Sequence, residues 1–254
     1  LAQRGSDVRG TRHNLSVDGP GGTHAAPGGT TEVCVFCHTP HGATQTDLGG
    51  TPMRSPLWNR RVPAGATYTP YTSSSMDSQV IADGFNNTPG GSSKLCLSCH
   101  DGTQAMDNII NAPGSGGIVA DGGGNGGRAF PWNAGGTVDA AGALSSGAAL
   151  LGTDLSNDHP IGIQYCGGGL TGSGTTVTGT CKDGDFVAPL TQSINANQVF
   201  WIETGGAGKQ RTDLPLYVRP GEAVATGPLV ECASCHDPHV SSGQAGPTGT
   251  GRVS

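Results

Sequence analysis

The sequence predicts an irregular fold: mostly coil, with short helices, a few short strands and a core that side chains alone do not build. Glycine supplies 45 of the 254 residues, and hydrophobic residues make up only 34% of the chain. An ordinary globular domain contains about 7% glycine and about 45–50% apolar residues. Apolar side chains this scarce cannot offset the backbone entropy that folding removes. A third observation, a motif that occurs three times, indicates what supplies the core instead.

Six of the eight cysteines fall into three copies of one pattern, in which two cysteines flank two residues and a histidine follows. The copies are CVFCH at residues 34–38, CLSCH at 96–100 and CASCH at 232–236. This pattern is typical of c-type haem attachment, because two thiols bond to the porphyrin vinyl groups and the adjacent imidazole binds iron. A zinc site is the alternative, but it requires four ligands per ion and does not explain the histidine after each pair.

Three covalently bound c-type haems are therefore the predicted cofactors, and they form the core of the predicted fold. The predicted attachment residues are Cys34, Cys37, Cys96, Cys99, Cys232 and Cys235, and the predicted proximal iron ligands are His38, His100 and His236.

The regular elements are predicted to be short. A helix is expected at each of the three motifs, where the haem-binding sequence commonly opens a helical turn. Residues 176–182 and 198–203 are rich in β-branched and aromatic side chains, which favours strands. Residues 114–127 show no hydrophobic periodicity and are predicted to be a loop.

The chain is predicted to form one haem-organised domain over residues 1–254. It consists of three stretches, each around one motif: residues 1–90, 91–165 and 166–254. The stretches are not expected to be independent domains, because iron ligands must cross from one stretch to another.

Cys166 and Cys181 are the two cysteines outside the motifs. Haem attachment occurs outside the reducing cytoplasm, where a disulfide also persists. We therefore predict a structural disulfide between them, with two free thiols as the alternative. The loop of about 15 residues that it closes is worth roughly 3 kcal/mol in the chain-entropy model.

Five histidines remain for the distal iron positions: His13, His24, His41, His159 and His239. His41 and His239 each lie three residues after a proximal histidine, so neither can reach the far face of its own haem. Each is therefore predicted to bind the iron of another haem. His24 lies in a glycine- and proline-rich run and ranks last, while the three methionines are predicted to pack rather than to bind iron.

The charge and hydropathy of the chain exclude some classes of partner. The net charge of −6 argues against nucleic acid. The longest weakly apolar stretch, residues 140–151, is too short to span a membrane. Because no signal peptide is visible at Leu1, the cysteine usage decides the compartment: we predict a secreted chain that is extracellular or at the cell surface.

Several blocks of sequence resemble multihaem c-type cytochromes of the doubled CxxCH type. The blocks occur in this order: RHNL at 12–15, CVFCHTPHG at 34–42, PLWNR at 56–60, LCLSCHDG at 95–102, NDHPI at 157–161 and CASCHDPH at 232–239. This group includes extracellular cytochromes that polymerise into conductive filaments, or nanowires. The resemblance implies bis-histidine haems, few regular elements and, in polymeric members, a distal histidine donated by the neighbouring subunit.

The resemblance also implies four distal histidines, matching His13, His41, His159 and His239, for four haems. Close relatives carry a fourth CxxCH motif soon after the CHDPH block, and this chain does not. One distal histidine is therefore spare here. It is either a relic, or the ligand of a haem beyond this chain's end, or a ligand for another subunit. We expect His41 to bridge to the haem that Cys232, Cys235 and His236 hold in an adjacent protomer.

The predicted function is long-range extracellular electron transfer by a trihaem cytochrome, assembled as a homopolymer. Its expected redox partners are other cytochromes or extracellular acceptors. A monomeric periplasmic or cell-surface electron shuttle is the alternative. A multihaem reductase is less favoured, because paired imidazoles leave no open iron position for a substrate. No enzymatic activity is therefore predicted.

Overall fold

Regular secondary structure is sparse in this chain. The computed structural model describes residues 8–64, 67–74, 88–113, 130–133, 135–171, 179–194, 197–205, 208–210, 212–219 and 228–240. Three segments in these ranges have helical hydrogen bonds, besides a 3-10 turn at Val8–Gly10. They are helix α1 (Gly91–His100), the single turn α2 (Tyr165–Gly168), which contains two residues with left-handed φ, and the single turn α3 (Cys232–Cys235). Turns and bends account for most of the rest, which confirms the prediction of a mostly coil chain.

Five short strands in the described part of the chain form two small antiparallel sheets. Strands β1 (Ile163–Gln164) and β5 (Leu229–Val230) make a two-stranded sheet. Strands β2 (Leu190–Ile194), β3 (Asn197–Ile202) and β4 (Leu214–Leu216) make a three-stranded sheet in that order. In the register of the larger sheet, Phe200 of β3 lies between Thr191 of β2 and Leu216 of β4.

Among the residues that the structure describes, the apolar side chains form four small clusters rather than one continuous core. The largest is centred on the disulfide and Phe200 of β3. A second packs Phe36 of the first motif against Leu15 and Met106. The third contains Met53 and the fourth contains Leu97 of α1. Two of the three methionines thus lie in hydrophobic clusters, and Met76 falls outside the described residues.

Polar side chains fill much of the remaining interior. The largest fully buried side chain is that of Arg60, and the Lys94–Asp47 ion pair is also buried. Such groups require hydrogen-bond partners, because an unpaired buried polar group costs about 1–3 kcal/mol. Long-range hydrogen bonds between loops therefore hold together a chain with little regular structure.

The predicted disulfide is confirmed. Cys166 and Cys181 are bonded, with their Cα atoms 4.6 Å apart. Cys166 adopts a left-handed conformation with φ of 72°, and a run of glycines with positive φ follows it. The disulfide joins the turn α2 to residue 181, so it closes the segment that leads into the three-stranded sheet.

The predicted elements have mixed outcomes. A helix is present at the second motif and at the third, whereas the first motif forms only a turn. The strand predicted at 198–203 is confirmed as β3. In the segment 176–182 only residues 179–182 are described, and the strand prediction is wrong there: an isolated bridge joins Cys181 to Leu170 beside the disulfide. The loop prediction for 114–127 lies outside the described residues.

The helices of the described ranges are short, and none is both long enough and apolar enough to cross a membrane.

Candidate metal centres

The second motif lies at the carboxyl end of α1. Three-residue spacing on a helix places Cys96 and Cys99 on one face, and His100 ends the helix beside them. The amino end of α1 has no side-chain cap of its own. Glu231, 141 residues away, takes this role by accepting hydrogen bonds from the Gly90 N–H at 3.1 Å and the Ser93 hydroxyl at 2.5 Å.

The third motif forms α3, and Glu231 caps this helix as well. Its side chain and that of Ser234 make reciprocal bonds to backbone N–H groups, which is a capping box. Arg219 forms an ion pair with Glu231, in which Nη2 of the arginine lies 3.1 Å from Oε1 of the carboxylate. The same carboxylate therefore joins the amino ends of the second- and third-motif helices.

The first motif forms one helical turn, closed by a hydrogen bond of 2.8 Å from the His38 N–H to the Cys34 carbonyl. The matching bond in the third motif, from His236 to Cys232, is 2.9 Å. The backbone at Leu57 supports this turn from outside. Leu57 adopts a left-handed φ of 56°, and its side chain is exposed. Its carbonyl accepts from the Thr39 N–H, and the preceding Pro56 carbonyl accepts from the His38 ring.

Each predicted proximal histidine faces one other imidazole. His38 lies opposite His239 with ring centroids 6.1 Å apart, and His236 lies opposite His159 at 6.3 Å; both pairs are nearly parallel. His100 lies opposite His13 at 6.1 Å with the rings tilted by 58°. The three distal partners come from before the first motif, from between the second and third motifs, and from after the third.

These separations match two imidazoles on opposite sides of one metal ion. With nitrogen–metal bonds of about 2.0 Å and about 1.1 Å from nitrogen to ring centre, the centroids of trans imidazoles lie about 6.2 Å apart. Ordinary aromatic pairs span about 4.5–7 Å, so the distance alone does not decide between these interpretations. The one-to-one pairing and the ring hydrogen bonds favour two imidazoles on one metal ion over ordinary aromatic contacts.

The ring hydrogen bonds define which nitrogen is available to bind metal. The Nδ1 atoms of His38 and His100 lie 2.6 Å and 2.7 Å from the carbonyl oxygens of Pro56 and Ala149. The Nδ1 of His239 lies 3.0 Å from a carboxylate oxygen. Because carbonyls and carboxylates only accept, each Nδ1 carries the proton, so in the neutral ring Nε2 is the nitrogen whose lone pair can bind a metal. Metal-ligating histidines are commonly oriented in this way.

The electrostatics of the site favour neutral imidazoles. Burial, followed by the neighbouring His100, His239 and His236, lowers the pKa of His13 to about 4. Burial also lowers the pKa of His38, against the opposing effect of its bond to Pro56. The Nδ1 atom of His13 is buried and makes no hydrogen bond within the described part of the chain. The candidate donor set is thus six imidazoles in three pairs, a ligand type that suits haem iron.

The three motifs converge on one region of the molecule. Burial, followed by the proximity of Cys99, raises the pKa of the Cys37 thiol to about 12. Cys96 lies within hydrogen-bonding reach of Cys232, and this contact raises the pKa of the Cys96 thiol. A thiol of the second motif therefore neighbours the first motif, and another neighbours the third.

Arg60 binds the second motif and lies close enough to Cys37 in the first to lower the pKa of that thiol against the larger effect of burial, and the sequence alone does not indicate this role. Its guanidinium is fully buried and donates to the Ser98 and Ala105 carbonyls at 2.8 Å and 2.9 Å, and to that of Met106 at 2.6 Å. In the sequence, residues 56–60 stand out only as one of the blocks that resemble multihaem cytochromes. The signal that could have indicated Arg60 is its place between two motifs in a chain with few charged residues.

His24 and His41 are the histidines left outside the pairs; in the described part of the structure neither ring faces another imidazole. The His24 ring bonds to the Ala25 carbonyl at 2.9 Å. His41 is exposed, but its carbonyl is fixed by the Thr39 hydroxyl at 2.9 Å and the Asn111 amide at 2.8 Å. His41 therefore presents its ring to solvent from an anchored backbone.

Within the described residues, no three His, Cys, Asp or Glu side chains converge into a group that could hold a bare metal ion. Comparison of the sequence with protein-family models gives no match, and comparison with curated proteins finds none of significant similarity.

Proposed function

We propose that this chain is a c-type cytochrome that binds three haems covalently and transfers electrons without making or breaking substrate bonds. Bound haem supplies an iron that gains and loses a single electron. Each attachment motif provides two thiols and a proximal imidazole. The observation that carries the proposal is that each proximal histidine faces one further imidazole at 6.1–6.3 Å.

The proposed pairs cross the boundaries between the three stretches. His239, which follows the third motif, serves the iron of His38 in the first. His159 would hold the iron of His236, and His13 would hold that of His100. Two imidazoles per iron leave no position for a substrate, which supports electron transfer over the alternative of a multihaem reductase. The disulfide is compatible with the proposed location outside the cytoplasm.

The ligand assignment is tested by changing each distal histidine in the haem-loaded protein. We expect three haem additions in the intact mass and a wholly low-spin ferric spectrum by electron paramagnetic resonance. His13→Ala, His159→Ala and His239→Ala should each convert one haem of three to the high-spin form. His24→Ala is the matched control and should leave all three low-spin.

Two results would contradict the proposal. One is a high-spin haem in the unchanged protein, which would favour the reductase. The other is a distal variant that keeps all three haems low-spin, which would remove that histidine from the ligand set.

We also propose that the chain assembles with copies of itself, with a monomeric shuttle as the alternative. The observation that favours assembly is the exposed ring of His41 on an anchored backbone. The iron of His236 was the expected target of His41 in an adjacent protomer. Since His159 already faces His236, the geometry favours His159 at that iron, and a bridge from His41 requires either its displacement or a further haem.

Negative-stain microscopy distinguishes the two states of assembly. Filaments that disappear in His41→Ala would support bridging by this residue. Filaments that persist in the variant would assign the bridge elsewhere, and particles of monomer size in the unchanged protein would favour the shuttle.

A further inference from the structure

The residue that follows the third motif contacts an imidazole of the proposed iron site at the first. Asp237 is buried, with 2% of its surface exposed. One carboxylate oxygen accepts both the backbone N–H of His239 and the Nδ1 of its ring, each at 3.0 Å. His239 is the proposed distal partner of His38. A buried carboxylate therefore holds an imidazole that faces the first motif.

The other described hydrogen bonds of the imidazole rings at the proposed sites have uncharged acceptors. His38 and His100 bond through Nδ1 to the backbone carbonyls of Pro56 and Ala149, which are neutral acceptors. A carboxylate acceptor makes the imidazole a more basic ligand than a carbonyl does. A more basic ligand and an adjacent negative charge both stabilise ferric over ferrous iron, and second-shell hydrogen bonding is an established means of tuning haem iron.

We infer that Asp237 is a positioning residue that fixes the ring of His239 and, through it, lowers the reduction potential of the haem attached at Cys34 and Cys37. The inference rests on the proposed function. It gives the segment after the third motif control over the potential at the first.

The second motif provides a matched control. Asp101 follows His100 as Asp237 follows His236, and its carboxylate also bonds to the backbone N–H two residues on, that of Thr103, at 2.9 Å. Its other oxygen accepts from the Tyr68 hydroxyl at 2.7 Å. The two aspartates thus share their place in the motif and their local turn, but the residue that donates to the carboxylate is threonine in one case and histidine in the other.

The test is Asp237→Asn in the haem-loaded protein. The amide oxygen can still accept both bonds, so the turn is kept while the charge is removed. We expect one haem to become easier to reduce by a factor of at least ten in its equilibrium constant, which is 59 mV for one electron. Its low-spin resonance should change shape without becoming high-spin. The haem affected should be the one whose signal His239→Ala removes.

Asp101→Asn should leave the potential and the resonance of that haem unchanged. If Asp237→Asn does not accumulate, Asp237→Ser keeps a side-chain oxygen for the turn and carries the same expectation. An unchanged potential and resonance in the Asp237 variant would reduce its role to the turn and overturn the inference. So would an equal shift of the same haem in Asp101→Asn. Three low-spin haems in His239→Ala would overturn the ligand assignment as well, which distinguishes that failure from the others.

Discussion

Leu57, which lies beside His38, adopts a backbone conformation that is unfavourable for a leucine. Its φ of 56° lies in the left-handed region, which costs a residue with a Cβ roughly 1–2 kcal/mol. The side chain is 56% exposed, so packing does not explain why leucine occupies the position. The strain serves the site, because the carbonyls of Pro56 and Leu57 accept hydrogen bonds from His38 of the first motif and from Thr39, which follows it.

Leu57→Gly is therefore expected to stabilise the protein. Relief of the left-handed strain exceeds the unfolded-state entropy that glycine adds, about 0.5–1 kcal/mol, so a net gain of roughly 0.5–1 kcal/mol is expected. Chemical denaturation of the haem-loaded protein measures it. Leu48 is equally exposed at 56% and lacks a positive φ, so Leu48→Gly should instead lower stability. Equal losses in both variants would show that Leu57 is not strained.

The sequence predicts which residues belong to the candidate site, but it does not predict which of them face each other. The CxxCH spacing predicts the attachment cysteines and proximal histidines, since thioether and iron chemistry act over five consecutive residues. Elimination reduced the distal candidates to a few histidines. Which imidazole faces which depends on contacts such as that of the Thr11 hydroxyl with the Pro238 carbonyl, 227 residues apart. No local pattern contains such a contact.

At the scale of elements, residues that are distant in the sequence decide where helices and strands form and begin. Strand β3 could be predicted because its sequence is apolar and aromatic, whereas β2 is mostly exposed and forms by pairing with β3. Helix α1 begins before the second motif rather than at it. The carboxylate that serves its amino end, Glu231, belongs to another stretch of the chain. Local propensity could not indicate either boundary.

The disulfide is the element-scale feature with the clearest energetic consequence. Cys166 and Cys181 are separated by 15 residues, and closing such a loop is worth about 3 kcal/mol in the chain-entropy model. Replacing both by alanine should lower the free energy of unfolding by roughly that amount, while the haem content stays at three per chain. Denaturation midpoints and intact mass measure the two effects.

A reductant control separates the covalent bond from the packing of the two side chains. The unchanged protein with its disulfide reduced should match the alanine variant to within the loss of two small buried side chains. An unchanged midpoint in the double variant would mean that the disulfide adds no stability. Loss of a haem in the variant would mean that the bond shapes an attachment site.

For the whole molecule, the question is what drives the chain to fold. Within the described residues, the four hydrophobic clusters contain between three and five buried residues each, and many polar side chains are buried besides them. A hydrogen bond contributes only about 1 kcal/mol net, since water satisfies the same groups in the unfolded chain. Ordering each residue costs about 1–2 kcal/mol of backbone entropy. With a hydrophobic content of only 34%, we therefore expect the chain to need more apolar burial than its own side chains supply.

Removal of the haems should consequently abolish folding. Changing the six motif cysteines to serine prevents covalent attachment but keeps the disulfide between Cys166 and Cys181. Circular dichroism of this variant should show a coil without a cooperative melting transition, whereas the haem-loaded protein should melt cooperatively. A control in which only Cys232 and Cys235 are changed should retain two haems and an intermediate loss of structure. A cooperative transition in the six-serine chain would show that its own side chains suffice, because nothing else in that variant could replace the apolar surface of three porphyrins.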